Sequence, residues 1–191
     1  MDIVLVHGFL STDKIFFYMK KKLSRQGFNC VTPKLKPIDA RYGIEDQAVK
    51  LRDKINIELG ETSKFILIGF SMGGIICRYY LQELGGINRV EKFISISTPH
   101  HGTYTAYFYP GIGTKQLRPK SQLLENLKKK ERSFNNIRMY SFRTPFDLMI
   151  IPSKSSEWEI AENRKYFSPI HSLMLFNPKL IGNIQSILKE K

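Results

Sequence analysis

The feature that most constrains this chain is a short glycine-rich turn, Gly69-Phe70-Ser71-Met72-Gly73, followed by Gly74. A continuous apolar run, Phe65 to Ile68, precedes it, and a helix-spaced segment, Gly73 to Glu83, follows it. A strand that passes into a helix within so few residues must turn sharply. The serine then takes a strained backbone conformation, and side chains on its flanks would strike neighbouring backbone, which glycine avoids. The spacing G-x-S-x-G fits this strand–turn–helix geometry. It lifts the Ser71 hydroxyl to the carboxyl end of a sheet, at a helix N-terminus where free N–H groups favour a developing negative charge. The bare spacing also arises by chance, so the flanking strand and helix give it its weight.

The rest of the chain alternates in the same way. Ile3 to Val6, Asn29 to Thr32, Phe93 to Ile96 and Ile137 to Phe142 read as further strands, with a weak sixth near Lys165 to Phe167. Helices are predicted from Lys14 to Arg25, capped by Ser11 or Thr12 and ended by Gly27, and from Ile44 to Leu59. Two more run from Ser121 to about Arg132 and from Pro178 to Leu188, with Pro178 suited to a first turn. Strands separated by helices predict an α/β architecture. The expectation is one domain over 1–191, with a mostly parallel central sheet of about six strands and helices on both faces. Residues 98–120 read as irregular. Within them, the aromatics and glycines of 104–120 suggest either a small flap over the site, involving Tyr107 and Phe108, or an ordinary packed loop.

A nucleophilic serine needs a base and a carboxylate to orient that base. In sheets of this kind, sites gather at the carboxyl ends of the strands, and the order is serine, acid, histidine. Asp147 is the only aspartate after Ser71, and it follows the fifth strand. His171 is the only histidine after Asp147. These become the expected acid and base, with Glu157, Glu159 and Glu162 as fallbacks for the acid. The oxyanion needs two backbone N–H donors. Met72, after the nucleophile, supplies one. The loop His7-Gly8-Phe9-Leu10 after the first strand supplies the other, assigned to Phe9. His7 stands too early for the base and is read as a brace for that loop. His100 and His101, in Ser97-Thr98-Pro99-His100-His101-Gly102-Thr103, either touch substrate or tie that loop down.

These residues together give the chain a resemblance to the bacterial lipase and esterase branch of the α/β-hydrolases, including GPI-inositol-deacylase-like hydrolases. The resemblance rests on Val6 to Phe9, Gly69 to Gly74, Ser97 to Thr103, Asp147 with Pro152, and His171. It implies a Ser71-Asp147-His171 triad, an oxyanion hole from Phe9 and Met72, no organic cofactor and no metal, and lipid or other ester substrates. Two departures stand out. Phe70 occupies a position where many relatives carry histidine, and Thr144-Pro145-Phe146-Asp147 lacks the usual glycine-rich lead to the acid. At 191 residues the chain resembles a compact core with little room for a large lid. An acyltransferase or thioesterase could use the same residues, and a non-catalytic lipid-binding module is a third reading.

Composition bounds the partners. Thirty Lys and Arg against seventeen Asp and Glu give a net charge of +13. The basic residues are scattered and no nucleic-acid-binding signature appears, so nucleic acid is not expected as a partner. The charge reads as a solvated basic surface, with contact to an anionic membrane as the alternative. Cys30 and Cys77 lie far apart in apolar segments and read as buried thiols rather than a disulfide. No run is long enough to span a bilayer and no leader pattern opens the sequence, so a cytoplasmic location is expected. Composition says nothing of oligomeric state.

Overall fold

A computed structural model describes residues 1–131, 134 and 137–190. Six strands form one sheet: β1 (Asp2–Val6), β2 (Asn29–Val31), β3 (Phe65–Phe70), β4 (Val90–Ile96), β5 (Arg138–Arg143) and β6 (Glu162–Lys165). Their order is β2-β1-β3-β4-β5-β6, and every neighbouring pair is parallel. The helices are α1 (Phe17–Ser24), α2 (Ile44–Leu59), α3 (Met72–Glu83), α4 (Ile112–Gln116), α5 (Gln122–Lys129) and α6 (Pro178–Lys189).

Alternation along the strands divides the core in two. Val4, Val6, Phe65 and Leu67 face α2, α3 and α5, where they meet Ala48, Leu51, Ile55, Ile76 and Leu127. Ile3, Leu5, Ile66, Ile68, Ile94 and Ile96 face the other way, against Phe16, Met19, Leu23, Leu180, Ile184 and Ile187. Both faces are therefore apolar, which is why the central strands read as continuous apolar runs. Each fully buried aliphatic or aromatic side chain contributes roughly 1.5–3 kcal/mol relative to exposure. Cys30 and Cys77 are buried free thiols.

Helix ends follow their local chemistry. Ser121 caps α5, its hydroxyl accepting from Leu124 N at 3.4 Å. Asn177 caps α6 by accepting from Lys179 N and Leu180 N at 3.0 and 3.1 Å, and Pro178 takes the first turn, where no N–H is needed. The predicted end of the fifth helix at Arg132 lies outside the described residues.

Three expectations need correction. The first helix begins as a 3-10 turn, Asp13–Phe16, and Ile15 N–H donates to the Thr12 carbonyl, so neither Ser11 nor Thr12 caps it through its side chain. The sixth strand lies earlier than Lys165 to Phe167. Its register is set by β5, which pairs Tyr140 with Glu162 and Arg143 with Lys165. The apolar Tyr166 and Phe167 suggested the later span, but only Tyr166 N–H, donating to Arg143 O at 2.9 Å, continues the ladder. The segment 98–120 is not irregular: it holds a 3-10 turn, Tyr104–Phe108, and α4.

Candidate active site

The turn between β3 and α3 has the geometry its glycines foretold. Ser71 sits at φ 55° and ψ −127°, a conformation that non-glycine residues rarely hold. Its N–H donates to Ile96 O at 2.8 Å, which ties the turn to the end of β4. A Cβ on Gly69 would stand 2.6 Å from Gly74 Cα, and one on Gly73 would overlap the Val6 and His7 carbonyls. The helix N-terminus can press against β1 only because these positions lack side chains.

Asp147 and His171 come together from the loops after β5 and β6. His171 Nδ1 lies 2.9 and 2.8 Å from the two Asp147 carboxylate oxygens. Asp147 Oδ1 also accepts from Met149 N and Ile150 N, at 2.9 and 3.0 Å. The carboxylate is nearly sealed, its side chain 1% exposed against 11% for His171. With Nδ1–H donated to the carboxylate, His171 keeps its Nε2 lone pair free. The imidazole packs on Phe70, ring centroids 4.8 Å apart, so the residue beside Ser71 forms a wall for the base. The two loops are stapled by Thr144, whose hydroxyl donates to Ser168 O at 2.8 Å and accepts from Ser168 N at 3.2 Å. The fallback acids lie elsewhere. Glu157 accepts two hydrogen bonds from Arg143, which hold its carboxyl below the usual range. Glu159 stands 3.4 Å from His101, and Glu162 pairs with Arg164. The Ser71 hydroxyl has no hydrogen-bond partner among the described residues.

The loop after β1 lies over the serine. A Cβ on Gly8 would stand 2.9 Å from Ser71 Cβ. His7 braces this loop. Its Nε2 accepts from Leu35 N at 3.1 Å, which leaves Nδ1 to donate to Gly8 O at 3.1 Å. Burial pushes the His7 imidazole below its ordinary value, consistent with a neutral ring. Met72 opens α3, so its N–H has no acceptor within the helix. Phe9 N–H donates to no carbonyl among the described residues.

Beside Ser71 and Met72 is a small apolar cavity of about 40 Å³, walled by Phe9, Ala106, Tyr109, Leu117, Met149 and Ile150. Phe9 and Tyr109 meet edge to face, 5.2 Å between centroids. Tyr107 and Phe108 instead face solvent. The segment over this cavity is tied down by Thr103 N to Leu117 O at 2.8 Å and Tyr104 N to Ile151 O at 2.9 Å.

His100 and His101 tie down their loop. His101 Nε2 is 3.1 Å from Glu157 O. His100 is buried, 2.9 Å from Ser95 Oγ and stacked on Trp158 at 4.4 Å. Arg78 lies over the same indole at 4.7 Å, donates to His100 O, and pairs with Glu131 at 2.8 Å. Trp158 Nε1 donates to the same Glu131 oxygen at 2.6 Å. Burial lowers the Arg78 guanidinium to about 10, against the raising effect of Glu131. Sequence reading missed this buried hub because its members are dozens of residues apart. The one available signal was an arginine on the otherwise apolar face of α3.

A parallel sheet, a strained serine turn after its central strand and an acid–histidine pair from the loops after its last two strands together define an α/β-hydrolase. The chain belongs to the palmitoyl protein thioesterase family, whose sequence profile matches residues 2–132. That span includes Ser71 and stops short of Asp147 and His171. No curated protein matches the chain. Among solved structures, a mature lipase from Bacillus licheniformis has a TM-score of 0.79 at 18% identity, covering 98% of this chain and 91% of its own. Lipase B from Aspergillus fumigatus has a TM-score of 0.82 at 16% identity; the match covers all of this chain (100%) but 52% of the lipase, so the chain spans about half its length. A lipase-esterase related protein from Clostridium acetobutylicum has a TM-score of 0.66 at 18% identity over 98% of this chain and 93% of its own. Likeness at this level is a likeness of fold. Among the described residues, no helix is long and apolar enough to cross a membrane, and no group of three or more His, Cys, Asp or Glu could hold a metal ion.

Proposed function

We propose that this hydrolase cleaves carboxylic esters through an acyl-enzyme on Ser71. The observation that carries the reading is the strained Ser71 at the head of α3, preceded in the chain by Phe70, whose ring packs on His171, a base already paired with a buried carboxylate. In the proposed cycle His171 Nε2 takes the Ser71 proton as Oγ attacks the acyl carbonyl. Catalytic hydrogen bonds often tighten only with substrate bound, and the Ser71–His171 bond is assigned to that state. Phe9 and Met72 N–H groups receive the oxyanion, each worth on the order of 3 kcal/mol of barrier. The protonated His171 gives its proton to the leaving alcohol, and water activated by the same ring then releases the acid. Asp147 keeps His171 in the productive tautomer. The apolar cavity beside Ser71 suits the start of an acyl chain. No step calls for a cofactor or metal.

A second reading, thioester hydrolysis, draws support from the family match. The same residues serve it, with a thiolate as leaving group. Paired oxygen and sulfur esters of one acyl chain decide between the readings. A larger kcat/KM for the oxygen ester is expected, with both activities lost in Ser71→Ala. A strong preference for the thioester would make the second reading the correct one, and unchanged turnover in Ser71→Ala would remove both. Added alcohol that diverts the acyl group from water would indicate an acyltransferase.

A further inference from the structure

The two loops that carry Asp147 and His171 point these residues inward and their apolar neighbours outward. Asp147 is buried, yet Phe146 and Leu148 on either side of it are exposed, and His171 follows the exposed Ile170. The pattern extends around the mouth. Among the described residues, exposed large apolar side chains recur just after strand ends or on the turns beyond them: Leu10 after β1, Phe108 after β4, Phe146 and Leu148 after β5, Phe167 and Ile170 after β6. Three of them stand furthest out, Phe108 at 82%, Leu148 at 76% and Phe167 at 70% exposure, one from each of the loops after β4, β5 and β6. Rings from separate loops meet in the open: Phe146 and Phe167 pair edge to face at 5.6 Å. A water-facing surface gains nothing from such side chains on neighbouring loops, and exposed apolar groups gathered in this way mark a binding face.

Charge indicates the occupant. The chain carries +13, and cations stand on two of the segments that follow strand ends. Lys14, Lys34 and Lys36 share one cleft beside the loop after β1, with Asp13 the sole acid there. Arg118 lies over the ring of Tyr107, the residue before Phe108, at 4.6 Å. Exposed apolar side chains on a basic protein complement a bilayer that is apolar within and anionic at its surface.

We propose that the mouth of the site is a membrane-docking face that seats the protein on anionic lipid, with Phe108, Leu148 and Phe167 entering the headgroup boundary. This deepens the proposed function, because it sets the Ser71 opening against the layer from which an acyl ester would enter. None of the three rim residues lines the cavity beside Ser71.

The test is sedimentation with vesicles of pure phosphatidylcholine and of phosphatidylcholine mixed with phosphatidylglycerol, for the wild type and for the triple variant Phe108→Ala, Leu148→Ala, Phe167→Ala. The wild type is expected to bind the anionic vesicles, and more weakly the neutral ones. From the apolar area removed, the triple variant should lose at least about tenfold in partitioning. Both proteins should hydrolyse a water-soluble short-chain ester at the same rate, an assay that judges the proposed chemistry independently of docking. Absence of wild-type binding, or equal binding by the triple variant, overturns the docking face. A wild-type dimer in sedimentation velocity that the triple variant dissolves overturns it too, since the rim would then be a contact between two copies of this chain.

Discussion

His100 lies at the base of the segment that borders the site, and its environment decides how the fold responds to acid. The ring is buried against Trp158, with the Arg78 guanidinium beside it. Burial first, and the Arg78 charge second, push it well below its ordinary value of 6.5. His7 is lowered in the same direction, chiefly by burial. A histidine with a depressed folded value takes up its proton first in the unfolded chain. Its contribution to stability is therefore complete above about 6.5 and is lost as pH falls from there towards the folded values. The melting temperature should drop between about pH 7.5 and about pH 5.5, and His100→Asn should flatten that drop. A wild-type melting temperature that stays level, or an unchanged slope in the variant, would contradict this account. At this scale scarcity made the site legible. A single aspartate and a single histidine remain in the required order after Ser71, and they meet at hydrogen-bond distance. The Arg78, Glu131 and Trp158 contacts had no such signal, since no periodicity links positions so far apart.

The elements of the sheet were legible because both of its faces are covered. Strands such as β3 are then apolar throughout, and helices such as α2 repeat at a spacing that needs no neighbour to recognise. Edge strand β6 was displaced in the reading because its residues are largely exposed and polar, and its register belongs to β5. The short turn and helix over 104–116 were hidden because their order depends on tertiary hydrogen bonds, such as Gly113 N to Ala40 O at 3.1 Å. Tyr107 faces solvent, whereas Tyr109 closes the cavity against Phe9. Tyr109→Ala should enlarge the cavity and shift ester preference towards longer acyl chains, while Tyr107→Ala should leave the preference unchanged. A chain-length panel checks this, and identical profiles for wild type and Tyr109→Ala would show that the cavity does not hold the acyl group.

Over the whole molecule, a parallel sheet collects three distant stretches of chain at one end. Ser71 comes from the turn after the central β3, and Asp147 and His171 from loops at one side of the sheet. The family match covers the first stretch alone, so the cooperation of the other two rests on geometry. The central claim is that Ser71 is a nucleophile activated by His171 and Asp147. Peptide mapping after reaction with a fluorophosphonate tests it most directly, on the wild type and on Ser71→Ala, His171→Ala and Asp147→Asn. The account expects one adduct, on Ser71, absent from Ser71→Ala and formed about 10³-fold or more slowly when the base is removed or misoriented. An adduct on another residue, or full-rate labelling in His171→Ala, would contradict it.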